Sequence, residues 1–241
     1  FYNSKKGKDE SRGHAYTHCS RFNSKMDSIS GTDRRFYQTI DNWKEDGWTR
    51  EEDDDSSIGG LDTAAMVFVS THGNSYKNYS ILSKYDGTHY SSNWEFGNNS
   101  KYLNILAMKS CSTMRINSTR YTYNDDGDRT DHGGKSYQWD RFKRILQAGT
   151  KLILGAYDSM YSGSSHKNEG KNFANYLKSG HSLQYAWRRA YKNHNPNTLA
   201  TGTSSSNCKS RRNNMKWSNS YSSYSRITGS SITHFCQRWG Y

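Results

Sequence analysis

The sequence predicts an α/β fold with a mainly parallel central sheet and helices on both faces. Two observations predict it. Three short, nearly continuous apolar runs occupy residues 64–69, 103–108 and 151–156, and runs of this length bounded by turn residues read as strands buried on both faces. Between and after them lie segments with apolar residues at helical spacing, and helices alternating with buried strands build a parallel sheet with two covered faces.

Taken in order, residues 1–13 are highly charged and are expected to be a mobile N-terminal segment. The α/β domain is expected over 14–206, and 207–241 as a Ser-, Arg- and Tyr-rich extension packed on the same domain. Residues 14–22 alternate loosely and read as the first strand. A helix is expected over 30–46, where Thr32 can cap it, Phe36, Tyr37, Ile40 and Trp43 recur at helical spacing, and Gly47 can end it. The run at 64–69 is a strand, and the polar, aromatic stretch 76–100 is a loop holding a short helix or a hairpin. After the run at 103–108, residues 112–136 form a long polar loop, suited to a lid or a binding loop.

Residues 137–148 are amphipathic through Trp139, Phe142, Ile145 and Leu146, with Gly149 to end the helix and 151–156 as the next strand. A helix starting at Gly170 carries Phe173, Tyr176 and Leu177 on one face and breaks at Ser179 and Gly180. Ser182 then caps a helix bearing Leu183, Ala186, Trp187 and Ala190. Residues 199–206 are expected as the last strand, and the tail suggests only a β-hairpin near 227–236.

Apolar residues make up 32 % of the 241 residues and the mean hydropathy is -1.11, so the core must be confined to these few elements. No apolar run approaches the ~20 residues that span a bilayer. The formal net charge of +12 raises the question of anionic partners, but acidic blocks (Glu51 to Asp55, Asn124 to Asp128) interrupt the basic ones. No nucleic-acid-binding signature is present, and nucleic acid is not the expected partner. Asn124, Asp126 and Asp128 have the oxygen-rich character of a calcium loop, but EF-hand spacing fails and an ordinary Asx turn is the simpler reading. No other metal site is expected.

The chain opens on Phe1, which a removed signal peptide would explain, and a secreted or extracytoplasmic location is the expectation. In an oxidising compartment Cys208 and Cys236 can staple the core-poor tail, closing a loop worth roughly 3.5 kcal/mol in the chain-entropy account. Cys111 is then expected to be unpaired.

Chemistry concentrates at two strand ends. The first buried run leads into Ser70-Thr71-His72-Gly73 and the second into Lys109-Ser110-Cys111-Ser112. Ligands of open α/β sheets bind beyond the carboxyl ends of the strands, so an imidazole and a thiol delivered there can meet. His72 would take the thiol proton and return it to the leaving group, with Cys111 as nucleophile. The amides at Gly73 and Ser112 are candidate oxyanion donors. Taken alone, each residue has a plainer explanation, as a buried small apolar side chain or a satisfied polar one; it is the paired placement that points to catalysis.

These motifs resemble those of the caspase, legumain, gingipain and clostripain group of cysteine peptidases, in which His-Gly follows one parallel strand and the catalytic Cys the next. Similarity to a secreted microbial branch of that group extends to residues 149–155 (GTKLILG), 170–174 (GKNFA) and 180–187 (GHSLQYAW). The resemblance covers about residues 60–192 and implies a three-layer caspase-like sandwich and a Cys111–His72 dyad hydrolysing peptide bonds. Members preferring basic P1 residues carry an aspartate two positions before the Cys; here Lys109 stands there and would repel Arg or Lys at P1. Asp158 is the second candidate substrate contact, able to reverse that sign. The alternative function is a catalytically inactive protein of the same fold that binds a protein or anionic glycan partner outside the cell.

Overall fold

The computed structural model describes residues 10–29, 65–70, 72–76, 79–84, 87–90, 103–114, 121–123, 129–131, 137–161, 163–217 and 224–240. The helix expected over 30–46, the acidic block 51–55 and the oxygen-rich residues Asn124, Asp126 and Asp128 lie outside the described residues.

Ten strands and five α-helices are described, in the order α1 (Glu10–Met26), β1 (Met66–Ser70), β2 (His72–Tyr76), β3 (Tyr79–Lys84), β4 (Gly87–Tyr90), β5 (Ile105–Lys109), β6 (Tyr121–Tyr123), β7 (Arg129–Asp131), α2 (Tyr137–Gln147), β8 (Leu152–Ala156), α3 (Glu169–Lys178), α4 (Leu183–Ala190), β9 (Pro196–Gly202), α5 (Ser205–Asn214) and β10 (His234–Trp239). The central sheet has the order β1-β5-β8-β9-β10. β2, β3 and β4 form a separate antiparallel meander, and β6 and β7 a short hairpin. β3, β4 and the β6–β7 hairpin stand in stretches whose sequence shows no period, and that hairpin falls where a continuous loop is expected.

The sheet is mixed, not mainly parallel. β1, β5 and β8 are parallel neighbours, whereas β9 pairs antiparallel with both β8 and β10. The reason lies in the connection. Two helices, α3 and α4, joined by the tight turn at Ser179 to Ser182, separate β8 from β9; the second helix returns the chain to the end it left, so β9 must run back along β8, where a single crossover helix would give a parallel strand.

The strands sort their side chains to two faces by the two-residue period of a strand. Ile105 and Ala107 of β5 join one apolar cluster with Phe22, Phe173, Leu177, Leu183 and Trp187. Leu106 and Met108 join another with Phe142, Ile145 and Leu146 of α2. No helix among the described residues is long and apolar enough to cross a membrane.

Residues 14–22, expected as a strand, lie within helix α1. The helical stripe Cys19, Phe22, Met26 overrides their loose alternation: all three are buried, and Phe22 stacks on Phe68 at 4.3 Å and on Phe173 at 5.7 Å. α1 crosses α3 closely, since a Cβ at Gly170 would lie 2.6 Å from the His18 carbonyl oxygen. Helices α2, α3 and α4 follow the expected spans, and the Ser182 hydroxyl accepts from the Tyr185 amide as the cap of α4.

The strand expected over 199–206 as the last one spans Pro196–Gly202, because Ser204 caps α5 instead of extending it, and β10 follows it in the chain. In place of a local hairpin at 227–236, β10 pairs with β9. Residues beyond 206 therefore supply a helix and an edge strand to the central sheet. Cys208 and Cys236 are disulfide-bonded across this unit, and Cys19 and Cys111 are free.

Candidate functional site

Parallel pairing of β1 with β5 sets Ser70 opposite Lys109, so the segments that follow both strands leave the same end of the sheet. From there β2 begins at His72 and the turn 111–114 follows β5. The two are in contact. A Cβ placed on Gly73 would fall 2.7 Å from Ser110 Cβ, 2.9 Å from the Cys111 carbonyl oxygen and 3.0 Å from Thr113 Cγ2. Only glycine permits that approach. The His72-Gly73 backbone is thereby seated on the Cys111 turn; the imidazole of His72 lies outside the described side chains.

Cys111 is half-buried and its sulfur accepts from the Met160 amide at 3.3 Å. Ser112 has φ 52, a left-handed conformation that sharpens the turn, and its amide donates to the Asp158 carbonyl oxygen at 2.9 Å. That amide is occupied, which removes Ser112 from the candidate oxyanion donors. The Met114 amide donates to Ala156 at 2.8 Å, so the turn is fastened to the end of β8 at two points. Asp158 is exposed, and its carboxylate accepts from the Ser159 amide at 2.9 Å.

Lys109 is 2 % exposed. Its ammonium donates to the Tyr161 carbonyl at 2.6 Å and the Met160 carbonyl at 3.3 Å, binding the segment that also holds the Cys111 sulfur. A P1 side chain would meet this charge only if that segment moved aside. Burial lowers its pKa from 10.5 to about 8, against the opposing attraction of Glu169, Cys111 and Cys19. The unfolded chain keeps this proton to about 10.5 and the native protein only to about 8. Between those values the unfolded state binds more protons, and stability rises with pH. The unfolding free energy of wild type minus that of Lys109→Met is expected to rise by on the order of 2 kcal/mol between about pH 7 and about pH 10. Urea titrations at the two pH values measure it, and a difference independent of pH contradicts the burial argument.

Cys19 is the contrasting thiol. It is fully buried in α1, and desolvation pushes its pKa far up, which makes it unreactive.

Beside the Met160–Tyr161 segment lies a cluster the sequence analysis did not single out. His166 Nδ1 and His194 Nε2 both contact Glu169 Oε1, at 2.8 and 2.6 Å. His18 Nε2 approaches Glu169 Oε2 at 4.0 Å, and Tyr161 lies 5.9 Å from His194 between ring centroids. Among the described residues, His166, Glu169 and His194 form the one group of three side chains whose ligand atoms converge. The available signal was the i, i+3 spacing of His166 and Glu169 at a helix start; His194, 25 residues later, carried none.

The chain matches the model of the family described as a domain of unknown function (DUF6345) over residues 3–239, and it belongs to that family. No curated protein and no solved structure matches it.

Proposed function

We propose that the chain is a cysteine peptidase of caspase-like three-layer architecture, with Cys111 as nucleophile and His72 as general base and acid. The observation that carries this reading is the seating of Gly73 on the Cys111 turn, beyond the carboxyl ends of the parallel neighbours β1 and β5. In the reaction, His72 takes the proton from the Cys111 sulfur, which attacks the scissile carbonyl carbon. The amides of Gly73 and Cys111 receive the oxyanion. Collapse of the tetrahedral species expels the amine, protonated by His72, and water then hydrolyses the thioester with His72 as base. The Met160 amide, 3.3 Å from the sulfur, is a further donor for charge developing there. The Cys208–Cys236 bond supports work in an oxidising, extracytoplasmic compartment, on a peptide or protein substrate.

The test compares wild type with Cys111→Ala and His72→Ala on a mixed-sequence fluorogenic peptide library, alongside iodoacetamide labelling read by mass spectrometry. Cleavage is expected in wild type only, with Cys111 labelling faster than glutathione at neutral pH and Cys19 remaining unlabelled. Absence of Cys111-dependent cleavage, together with labelling no faster than glutathione, would overturn the proposal in favour of a non-catalytic binding protein.

A further inference from the structure

We propose that His166, Glu169 and His194 bind a divalent transition-metal ion of the zinc class. This goes beyond the peptidase reading and does not depend on it. The three ligand atoms lie within 4.8 Å of one another, and two imidazole nitrogens with one carboxylate oxygen are a donor set that zinc takes in three-ligand sites.

Three separate elements converge to make the cluster. His166 ends the 3-10 turn Ser164–His166, Glu169 is the first residue of α3, and His194 ends the 3-10 turn Lys192–His194. Asn195, at φ 46, follows in a left-handed conformation that residues other than glycine seldom adopt and in which asparagine is enriched. The chain reverses there, and His194 is left fully buried facing the Glu169 carboxylate.

The distribution of hydrogen bonds is what separates this cluster from an ordinary buried polar network. Both imidazoles address one oxygen, Oε1, while Glu169 Oε2 is buried without a hydrogen bond, with His18 Nε2 at 4.0 Å from it. The hydroxyl of Tyr191, a residue with no exposed surface, is likewise without one. The Tyr191 ring lies 6.5 Å from the His194 ring between centroids. Buried polar groups are nearly always satisfied, and a further atom bound beside the three convergent ligand atoms would use this capacity. A cation replacing the two shared N–H contacts fits the donor types and offsets the buried carboxylate charge.

The geometry is near coordination distance. Tetrahedral ligands at ~2.0–2.1 Å from zinc stand roughly 3.3 Å apart, so contacts of 2.8 and 2.6 Å must open by roughly half an ångström. The His166 side chain is 22 % exposed and can make that adjustment. Three protein ligands leave a fourth position open. Water or an anionic group of a ligand can occupy it.

The experiment uses the full chain, stripped with a chelator and titrated with Zn²⁺ by calorimetry and with Co²⁺ by visible absorption. One equivalent per chain is expected, with the strong visible bands of four-coordinate cobalt and no thiolate charge-transfer band. His166→Gln and His194→Gln are each expected to weaken binding by roughly tenfold or more, whereas Cys111→Ser binds as wild type does. His166→Gln alters the most exposed ligand, so retained circular dichroism separates a lost ligand from a lost fold. Lack of stoichiometric uptake by wild type, unchanged affinity in His166→Gln, or loss of binding in Cys111→Ser would each overturn the proposal. Because the readout is metal uptake, failure of the peptidase assay leaves it standing.

Discussion

Replacing Trp187 by alanine is expected to cost about 3–5 kcal/mol of unfolding free energy, the range for emptying a buried aromatic site. The indole has no exposed surface. It meets Phe173 edge-on at 5.1 Å and Tyr191 at 4.1 Å between ring centroids, and its Nε1 donates to the Gly155 carbonyl at 2.9 Å. Removal therefore leaves a cavity between α3, α4 and the sheet, and a buried carbonyl without its donor. Against a total stability of about 5–15 kcal/mol for a domain, this is a large fraction. Trp187→Phe restores most of the volume but not the N–H, and is expected to fall between the two. Guanidinium unfolding followed by circular dichroism measures all three proteins. A loss below about 1 kcal/mol in Trp187→Ala, the typical effect of a point substitution, would contradict the packing account.

The same indole ties the core to the candidate site. Its acceptor, Gly155, adjoins Ala156, whose carbonyl holds the Met114 amide at the end of the Cys111 turn. A partly relaxed β8 end would loosen that turn without touching the thiol. Slower Cys111 labelling in Trp187→Phe, out of proportion to its modest instability, is the corresponding site-level sign.

What the sequence made legible follows the strength of its local signals. β1, β5 and β8 are short apolar runs bounded by turn residues, a pattern that reads as strand; β5 and β8 are buried at every position, whereas β1, at the end of the sheet order, is half-buried over Met66 to Phe68. α2, α3 and α4 combine helical spacing with a terminator or a cap, Gly149, Gly180 and Ser182 among them. α1 was illegible because His14, Tyr16 and His18 alternate with small or polar neighbours, while the stripe of Cys19, Phe22 and Met26 has meaning only once Phe68 and Phe173 are there to receive it. The direction of β9 could not be read from its residues, since it is fixed by the number of helices preceding it. β10 needs a partner 32 residues earlier, Gly202 opposite His234, a separation beyond any hairpin signal. At the candidate site, the strand-end placement of Cys111 was readable, and so was the Cys208–Cys236 pairing. The His166, Glu169 and His194 group was not, because its members are unremarkable singly and converge only when the α3–α4 turn folds back.

Gly73→Val is expected to lower Cys111-dependent cleavage by roughly 100-fold, the effect of misplacing a reacting group by about 1 Å, and to destabilise the fold by about 1–3 kcal/mol through overpacking. The reason is steric and lies in backbone as well as side chain. Even the first added carbon would stand 2.7 Å from Ser110 Cβ and 2.9 Å from the Cys111 carbonyl oxygen, and the carbonyl cannot rotate away as a side chain would. Either β2 lifts off the turn, carrying His72 from the thiol, or the turn itself moves and breaks the bonds of Ser112 to Asp158 and Met114 to Ala156. Both outcomes would separate the proposed general base from the proposed nucleophile. Gly73→Ala should show the same effects in weaker form. Gly163→Ala is the matched control, since a Cβ there meets no atom within 4 Å. Iodoacetamide labelling of Cys111 provides a readout that needs no substrate. If Gly73→Val labels, cleaves and unfolds as wild type does, then the strand carrying His72 does not govern the Cys111 turn, and the catalytic reading loses its geometric support.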